Sequence, residues 1–204
     1  LSHDLSDPRW PNDSFREVMV SFFQTCLRSA YRVQRICAWA LSLEPEFFVE
    51  KHQGENVTLR LLHYPSETSY AVASGQLGAG AHTDYGMLTL LFQDDVNGLE
   101  VQDSLGDWHE VEPEPGTILI NTGDLMERWT NGRFRSAPHR VKPKVGDTDR
   151  FSIALFVDPD SATPISPLDS CLDQDTSVIF PSITAGDYIQ ERIEASHRRG
   201  VPAS

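Results

Sequence analysis

Cysteine is scarce in this chain of 204 residues, with three in all, Cys26, Cys37 and Cys171. The number is odd and no pair has Cys-x-x-Cys spacing, which argues against a disulfide framework and against a zinc knuckle. All three are expected to be reduced core residues. Positive charge is also in short supply. Seventeen Lys and Arg stand against 30 Asp and Glu, a formal charge of −13, and no basic run exceeds a dipeptide. The electrostatic footprint of a nucleic-acid or anionic-membrane partner is missing. No apolar run approaches the roughly 20 residues of a membrane-crossing helix, and "LSHDLSDPRWPND" has neither a basic n-region nor an h-region. The expected location is the cytoplasm. The first residue is Leu, so the natural chain is expected to begin earlier.

What remains is ordinary for a folded domain: 39% hydrophobic and 23% charged residues. "SFREVMVSFFQTCLRSAYRVQRICAWALSL" carries Phe15, Val18, Phe22, Cys26, Ala30, Val33, Cys37 and Ala40 at three-four spacing, which predicts a long amphipathic helix. Ser14 and Glu17 suggest a capping box at its start. Pro45 opens a second short helix, which Gly54 ends. The period then changes. "NVTLRLLHY", "MLTLLFQ", "GLEVQD", "WHEVEP", "GTILIN", "SAPHRVKP" and "RFSIALFVDP" are short strand-like runs separated by Gly, Pro, Asn and Asp. Many short strands at close spacing predict a sandwich, jelly roll or barrel. "GDLMERWTNG" reads as a helical turn, "PDSATPISPLDS" as a loop and "TAGDYIQERIEASH" as a C-terminal surface helix. The organisation expected is a helical layer over 1–53, a β core over 54–160, and a loop and helix over 161–204 that complete the same domain.

His82 and Asp84 stand two apart at the edge of the "MLTLLFQ" run, where a strand would aim both side chains at one point. A His-x-Asp pair is expected by chance in a chain with 7 His, so context has to carry the weight. His139, 55 residues past Asp84, supplies a third candidate ligand at the head of another strand-like run. Two His and one carboxylate form the facial triad of non-haem Fe(II) sites, which leaves the opposite coordination positions open. Arg150 and Ser152 follow, two apart on one strand face, and a guanidinium beside a hydroxyl suits a carboxylate. Tyr64 could donate a phenol hydrogen bond to the same anion. Phe156 and Trp129 are expected in the core. The remaining histidines, His63 beside Tyr64 among them, read as solvent or structural residues.

"HTDYGMLTLLFQDDVNGLEVQ", "GTILINTGDLMERWTNGRFRSAPHRV" and "RFSIALFVDP" together resemble the isopenicillin N synthase-like branch of the 2-oxoglutarate/Fe(II)-dependent dioxygenases, over about residues 14 to 159. The resemblance implies a mainly β fold with flanking helices, a double-stranded β-helix of the jelly-roll, cupin-like type. It also implies that His82, Asp84 and His139 bind iron, that Arg150 and Ser152 hold the distal carboxylate of 2-oxoglutarate, and that Tyr64 assists them. Where plant relatives often read Asn-Tyr-Tyr-Pro-Pro, this chain reads Leu62, His63, Tyr64, Pro65, Ser66. The activity implied uses O₂ and 2-oxoglutarate to hydroxylate, desaturate or cyclise a small organic molecule, releasing succinate and CO₂. Two alternatives stay open. One is an isopenicillin N synthase-type iron oxidase in which Arg150 and Ser152 bind a substrate carboxylate. The other is a non-catalytic, metal- or acid-binding jelly roll.

Overall fold

The three-four spacing near the start of the chain is realised as α1 (Asp13–Ala40) in the computed structural model, which describes residues 10–54, 56–66, 78–142, 147–172 and 177–199. Its buried face is turned by about one residue from the expected stripe: Met19 and Phe23 lie inside, while Val18 and Phe15 are exposed. Both neighbours of each pair are apolar, so periodicity alone cannot choose between them. The two stripes share Cys26, Ala30 and Cys37. The cap is Asn12, not Ser14; Asn12 Oδ1 accepts a hydrogen bond from the Phe15 amide at 2.8 Å, which satisfies one of the orphan N–H groups of the first turn. The second helix expected after Pro45 shrinks to a 3-10 turn at Val49–Lys51. Gly54, at φ +93°, then turns the chain toward the sheet in a conformation that disfavours other residues.

Eight strands follow: β1 (Val57–Tyr64), β2 (Ala79–His82), β3 (Leu88–Gln93), β4 (Leu99–Gln102), β5 (Trp108–Glu110), β6 (Leu119–Thr122), β7 (His139–Val141) and β8 (Arg150–Val157). They form two antiparallel four-stranded sheets, ordered β1-β8-β3-β6 and β2-β7-β4-β5. This is the double-stranded β-helix. A third ladder, β9 (Pro164–Ile165) with β10 (Ile183–Thr184), lies partly in a segment expected to be all loop. Two-residue strands carry no periodic signal, and "GAGAH" of β2 has no apolar alternation, so neither announces itself in sequence. The helical turn after β6 is α2 (Asp124–Trp129), and the C-terminal helix is α3 (Ala185–Arg199).

Side-chain alternation gives the β1-β8-β3-β6 sheet two different faces. Val57, Leu59, Leu88, Leu90, Leu155 and Val157 point to one side and pack in a single core with Met19, Phe23, Cys26 and Ala30 of α1. Trp129, 1% exposed, belongs to this core beside Phe48, as expected. The opposite face turns toward the second sheet and carries most of the polar residues discussed next. The three cysteines are buried and free. No helix among the described residues is long and apolar enough to cross a membrane.

Candidate active site

Strand pairing sets His82 and His139 opposite each other across β2 and β7, with ring centroids 4.4 Å apart. Asp84 joins them by another route than the sequence suggests. β2 ends at His82, so Asp84 lies in the loop that follows and does not share a strand face with the histidine. That loop is held by the first turn of α2: the Asp124 amide donates to the Asp84 carbonyl at 2.8 Å, and the Leu125 amide donates to Gly86 O at 3.0 Å. The approach needs Gly123, because a Cβ there would sit 2.4 Å from Gly86 O and 2.8 Å from Asp84 O. One candidate ligand atom from each of His82, Asp84 and His139 lies within 4.8 Å of the others, and His139 Nε2 stands 3.6 Å from Asp84 Oδ1.

The hydrogen bonds around this trio fix which atoms face inward. Gly80 O takes His82 Nδ1 at 2.7 Å, and Ala137 O takes His139 Nδ1 at 3.2 Å. With each Nδ1–H donated to a carbonyl, each Nε2 keeps its lone pair for a metal. Asp84, 7% exposed, accepts Thr89 Oγ1 and Asn121 Nδ2 on one oxygen, Oδ2, each at 2.6 Å. Its other oxygen stays turned toward His139. Two imidazole nitrogens and one carboxylate oxygen are borderline and hard donors that suit Fe(II), and three protein ligands leave positions open. The donor set therefore fits the group that the resemblance implies.

A cavity of about 260 Å³ between the sheets runs from this trio to Arg150 and Ser152. Arg150 is 2% exposed; its Nη2 donates to Gln93 Oε1 at 2.9 Å, while Nε and Nη1 have no partner among the described residues. A buried guanidinium with two idle donors costs several kcal/mol unless an anion reaches it. Ser152, on the same face of β8 two residues on, is buried at the cavity wall. Tyr64 pairs with Arg150 across β1 and β8 and lies with its ring 5.0 Å from the guanidinium carbon. The structure thus gathers all six expected residues round one cavity.

A second cavity, of about 600 Å³, adjoins the first and shares His82, Asp84, Arg60 and Phe156 with it. Phe156 lines both, so the expectation that it is a core residue is corrected: its position on β8 matches the parity of Arg150 and Ser152. α3 forms the outer wall through Ile189 and Ile193. Arg192 of α3 donates to Thr83 Oγ1 at 3.0 Å, pairs with Asp124 at 3.3 Å and lies over the Tyr85 ring. Tyr188 also donates to Asp124, at 2.8 Å, and burial together with the Asp124 charge pushes its phenol above the ordinary range. Asp158 sits in the same cavity, and burial, reinforced by the charge of Asp84, pushes its carboxyl up to about 7.

Sequence reasoning missed Thr89, Asn121, Arg60 and Asp158. Asn within "GTILIN" reads as a turn signal, and none of the four belongs to a spacing motif. His63, expected to be structural, pairs with Asp149 at 2.8 Å and stacks on Phe151, outside both cavities.

Comparison with known proteins gives a family match over residues 55–159, described as the 2OG-Fe(II) oxygenase superfamily. The 2-oxoglutarate-Fe(II) type oxidoreductase hxnY of Emericella nidulans is 34% identical over 94% of this chain and 56% of its own length. The 2-oxoglutarate-dependent dioxygenase citB of Monascus ruber is 41% identical over 78% of this chain and 49% of its own. Among solved structures, a full-length Neurospora crassa protein in complex with alpha-KG and thymine superposes with a TM-score of 0.83 at 33% identity, covering 92% of this chain and 60% of that one. The chain spans about half the length of the curated relatives it matches.

Proposed function

This chain belongs to the 2OG-Fe(II) oxygenase superfamily, and from that premise we propose that it is the catalytic core of an Fe(II)- and 2-oxoglutarate-dependent dioxygenase acting on a small organic molecule. The carrying observation is Arg150: a buried guanidinium with two nitrogens unpartnered among the described residues, in the same cavity as a His-Asp-His trio. That pairing calls for one dicarboxylate that reaches both ends. In this reading Nε2 of His82, Nε2 of His139 and Oδ1 of Asp84 hold Fe(II), while Arg150 and Ser152 bind the distal carboxylate of 2-oxoglutarate with Tyr64 beside them. Bound there, the iron supplies O₂ activation coupled to decarboxylation of 2-oxoglutarate.

The chain's own residues orient and exclude. Thr89 and Asn121 hold the Asp84 carboxylate in one rotamer, and the carbonyls of Gly80 and Ala137 fix the imidazole tautomers. Leu91, Leu99 and Val141 line the smaller cavity with hydrocarbon. A low-polarity wall strengthens the Arg150-to-carboxylate pair relative to water, each charge-assisted bond contributing about 1.5 to 3 kcal/mol. The hydroxylated, desaturated or cyclised product would be set by how the larger cavity places the substrate, because an error of about 1 Å can cost roughly 100-fold. A cytoplasmic location and a small-molecule partner, with no nucleic acid, complete the proposal; the acidic charge and three buried thiols support them.

The test is an anaerobic titration of the Fe(II)-loaded protein with 2-oxoglutarate. A saturable visible charge-transfer band that moves to far higher 2-oxoglutarate concentration in Arg150→Leu is expected. Stoichiometric iron with no band at any concentration would overturn 2-oxoglutarate as co-substrate.

A further inference from the structure

The larger cavity is lined by a guanidinium and a carboxyl group, neither in an ion pair among the described residues. Arg60, on β1, lines it without an ion pair among the described residues, its guanidinium carbon 5.7 Å from the Phe156 ring. Asp158, just past β8, lines it with no hydrogen bond to its carboxyl among the described residues. The loop backbone is packed against that carboxyl on one side: a Cβ at Gly86 would lie 1.4 Å from Asp158 Oδ1. Only glycine at 86 leaves the acid its place. Phe156 and Asp158 lie two apart along extended chain and so share a side, which adds an apolar ring to the wall that carries the cation and the acid. Ile189 and Ile193 of α3 face them across the cavity.

Asp158 is half-buried without a hydrogen-bond partner among the described residues, which costs free energy that a donor on a ligand recovers, whereas Arg60 is exposed and offers a ligand a charge-assisted bond in place of its hydration. We propose that this cavity recognises a small substrate with an apolar body, a carboxylate or carbonyl acceptor held by Arg60, and an O–H or N–H donor held by Asp158. The proposal rests on the functional reading above, since the His82–Asp84 edge of the trio borders the cavity and would present the substrate to the iron. Arg60 and Asp158 are then specificity residues. A compound that lacks the donor leaves the Asp158 acceptor buried and unpaired, which discriminates more strongly than the loss of a methyl contact.

The probes are 4-hydroxybenzoate, 4-methoxybenzoate with the donor blocked, and 4-methylphenol with the acceptor removed. Each is titrated calorimetrically, without O₂, into the full chain loaded with Fe(II) and saturated with 2-oxoglutarate so that Arg150 is engaged. 4-Hydroxybenzoate is expected to bind about tenfold or more tightly than either analogue. Asp158→Leu should abolish its advantage over 4-methoxybenzoate while leaving the latter within about threefold, and Arg60→Met should abolish its advantage over 4-methylphenol. Asp158→Asn, which keeps size and an accepting carbonyl, should retain part of the donor preference and serves if the leucine variant does not fold. Equal binding of the first two probes by the unmodified protein, no binding of any probe, or a parallel loss for all three in Asp158→Asn would overturn the assignment. The charge-transfer titration of the Fe(II)-loaded protein separates the two readings. A donor preference that persists in iron-loaded protein giving no charge-transfer band upholds the cavity assignment and overturns only the use of 2-oxoglutarate.

Discussion

The two faces of the β1-β8-β3-β6 sheet are made by the same strands and do opposite work. On the α1 side, Leu59, Leu88, Leu90, Leu155 and Val157 are packed and apolar. On the inner side, the alternate positions hold Arg60, Thr89, Asn121, Arg150 and Ser152 round a cavity. Period-two alternation lets one strand carry both, so Arg150 and Leu155 can be specified almost independently. The lesson is a division of labour within single strands: outer residues should govern stability and inner ones should govern binding.

The sharpest way to break that comparison is at the inner side's metal edge. Asp84→Ala is expected to abolish stoichiometric Fe(II) binding, read by metal analysis after anaerobic loading, while the melting temperature of the metal-free protein stays close to the original. Retained stoichiometric iron would remove Asp84 from the ligand set. Next in size is Arg150→Leu, which should raise the apparent 2-oxoglutarate KM on the order of 100-fold or more with iron still bound, since at least two charge-assisted bonds are lost. The same change should leave metal-free stability unchanged or raised, because a buried unpaired charge is removed. A fall in stability with an unaltered KM would reverse the roles assigned to the two faces.

Leu90→Ala, at a fully buried outer position, should cost about 2.7 to 5 kcal/mol in urea unfolding and leave the charge-transfer titration unmoved. Its close neighbour Thr89 points the other way. Thr89→Val and Asn121→Ala remove the two hydrogen bonds to Asp84 Oδ2 and should weaken iron binding roughly 10- to 100-fold without a comparable stability loss. The smallest effect belongs to His52, beneath the helical layer, 1% exposed and bonded through Nδ1 to Phe48 O at 2.6 Å. Burial lowers its pKa to about 4, so the folded state holds it neutral where the unfolded chain would protonate it. Stability from the neutral form is complete above the unfolded value near 6.5 and is lost as pH falls toward 4. Going from pH 7 to 5.5 should cost about 1 kcal/mol through this group, and His52→Gln should flatten that part of the profile.

Legibility in the sequence followed the physics of each element. β1, β3 and β8 were readable because strong alternation and flanking turn residues mark them, and the site residues on them came with spacing that has a chemical reason. Asp84 was readable as a candidate ligand but misplaced onto a strand, because His-x-Asp looks alike on a strand and at the start of a loop. The α1 cap lay two residues early, since Asn12 and Ser14 are both good caps and only geometry selects one. Thr89 and Asn121 were invisible because support of a ligand depends on which strands pair, through Thr89↔Asn121 across β3 and β6, and no single stretch encodes that. Arg60 and Asp158 are individually common surface residues. Their meaning comes from the cavity between them.

The pairing of β1 with β8 also sets the order in which the protein can come into being. Tyr64 meets Arg150 and Val57 meets Val157, so among the described residues the strand that opens the β core is paired only by the one that closes it. Closing so long a span carries a loop entropy that local contacts do not repay beforehand, and folding that depends on such pairings is slow. During synthesis β1 must wait for this partner until β8 has left the ribosome, and the Arg150 end of the cavity forms with that last pairing. A nascent chain stopped anywhere before Arg150 would hold all three of the trio's residues and still lack the cavity's far end.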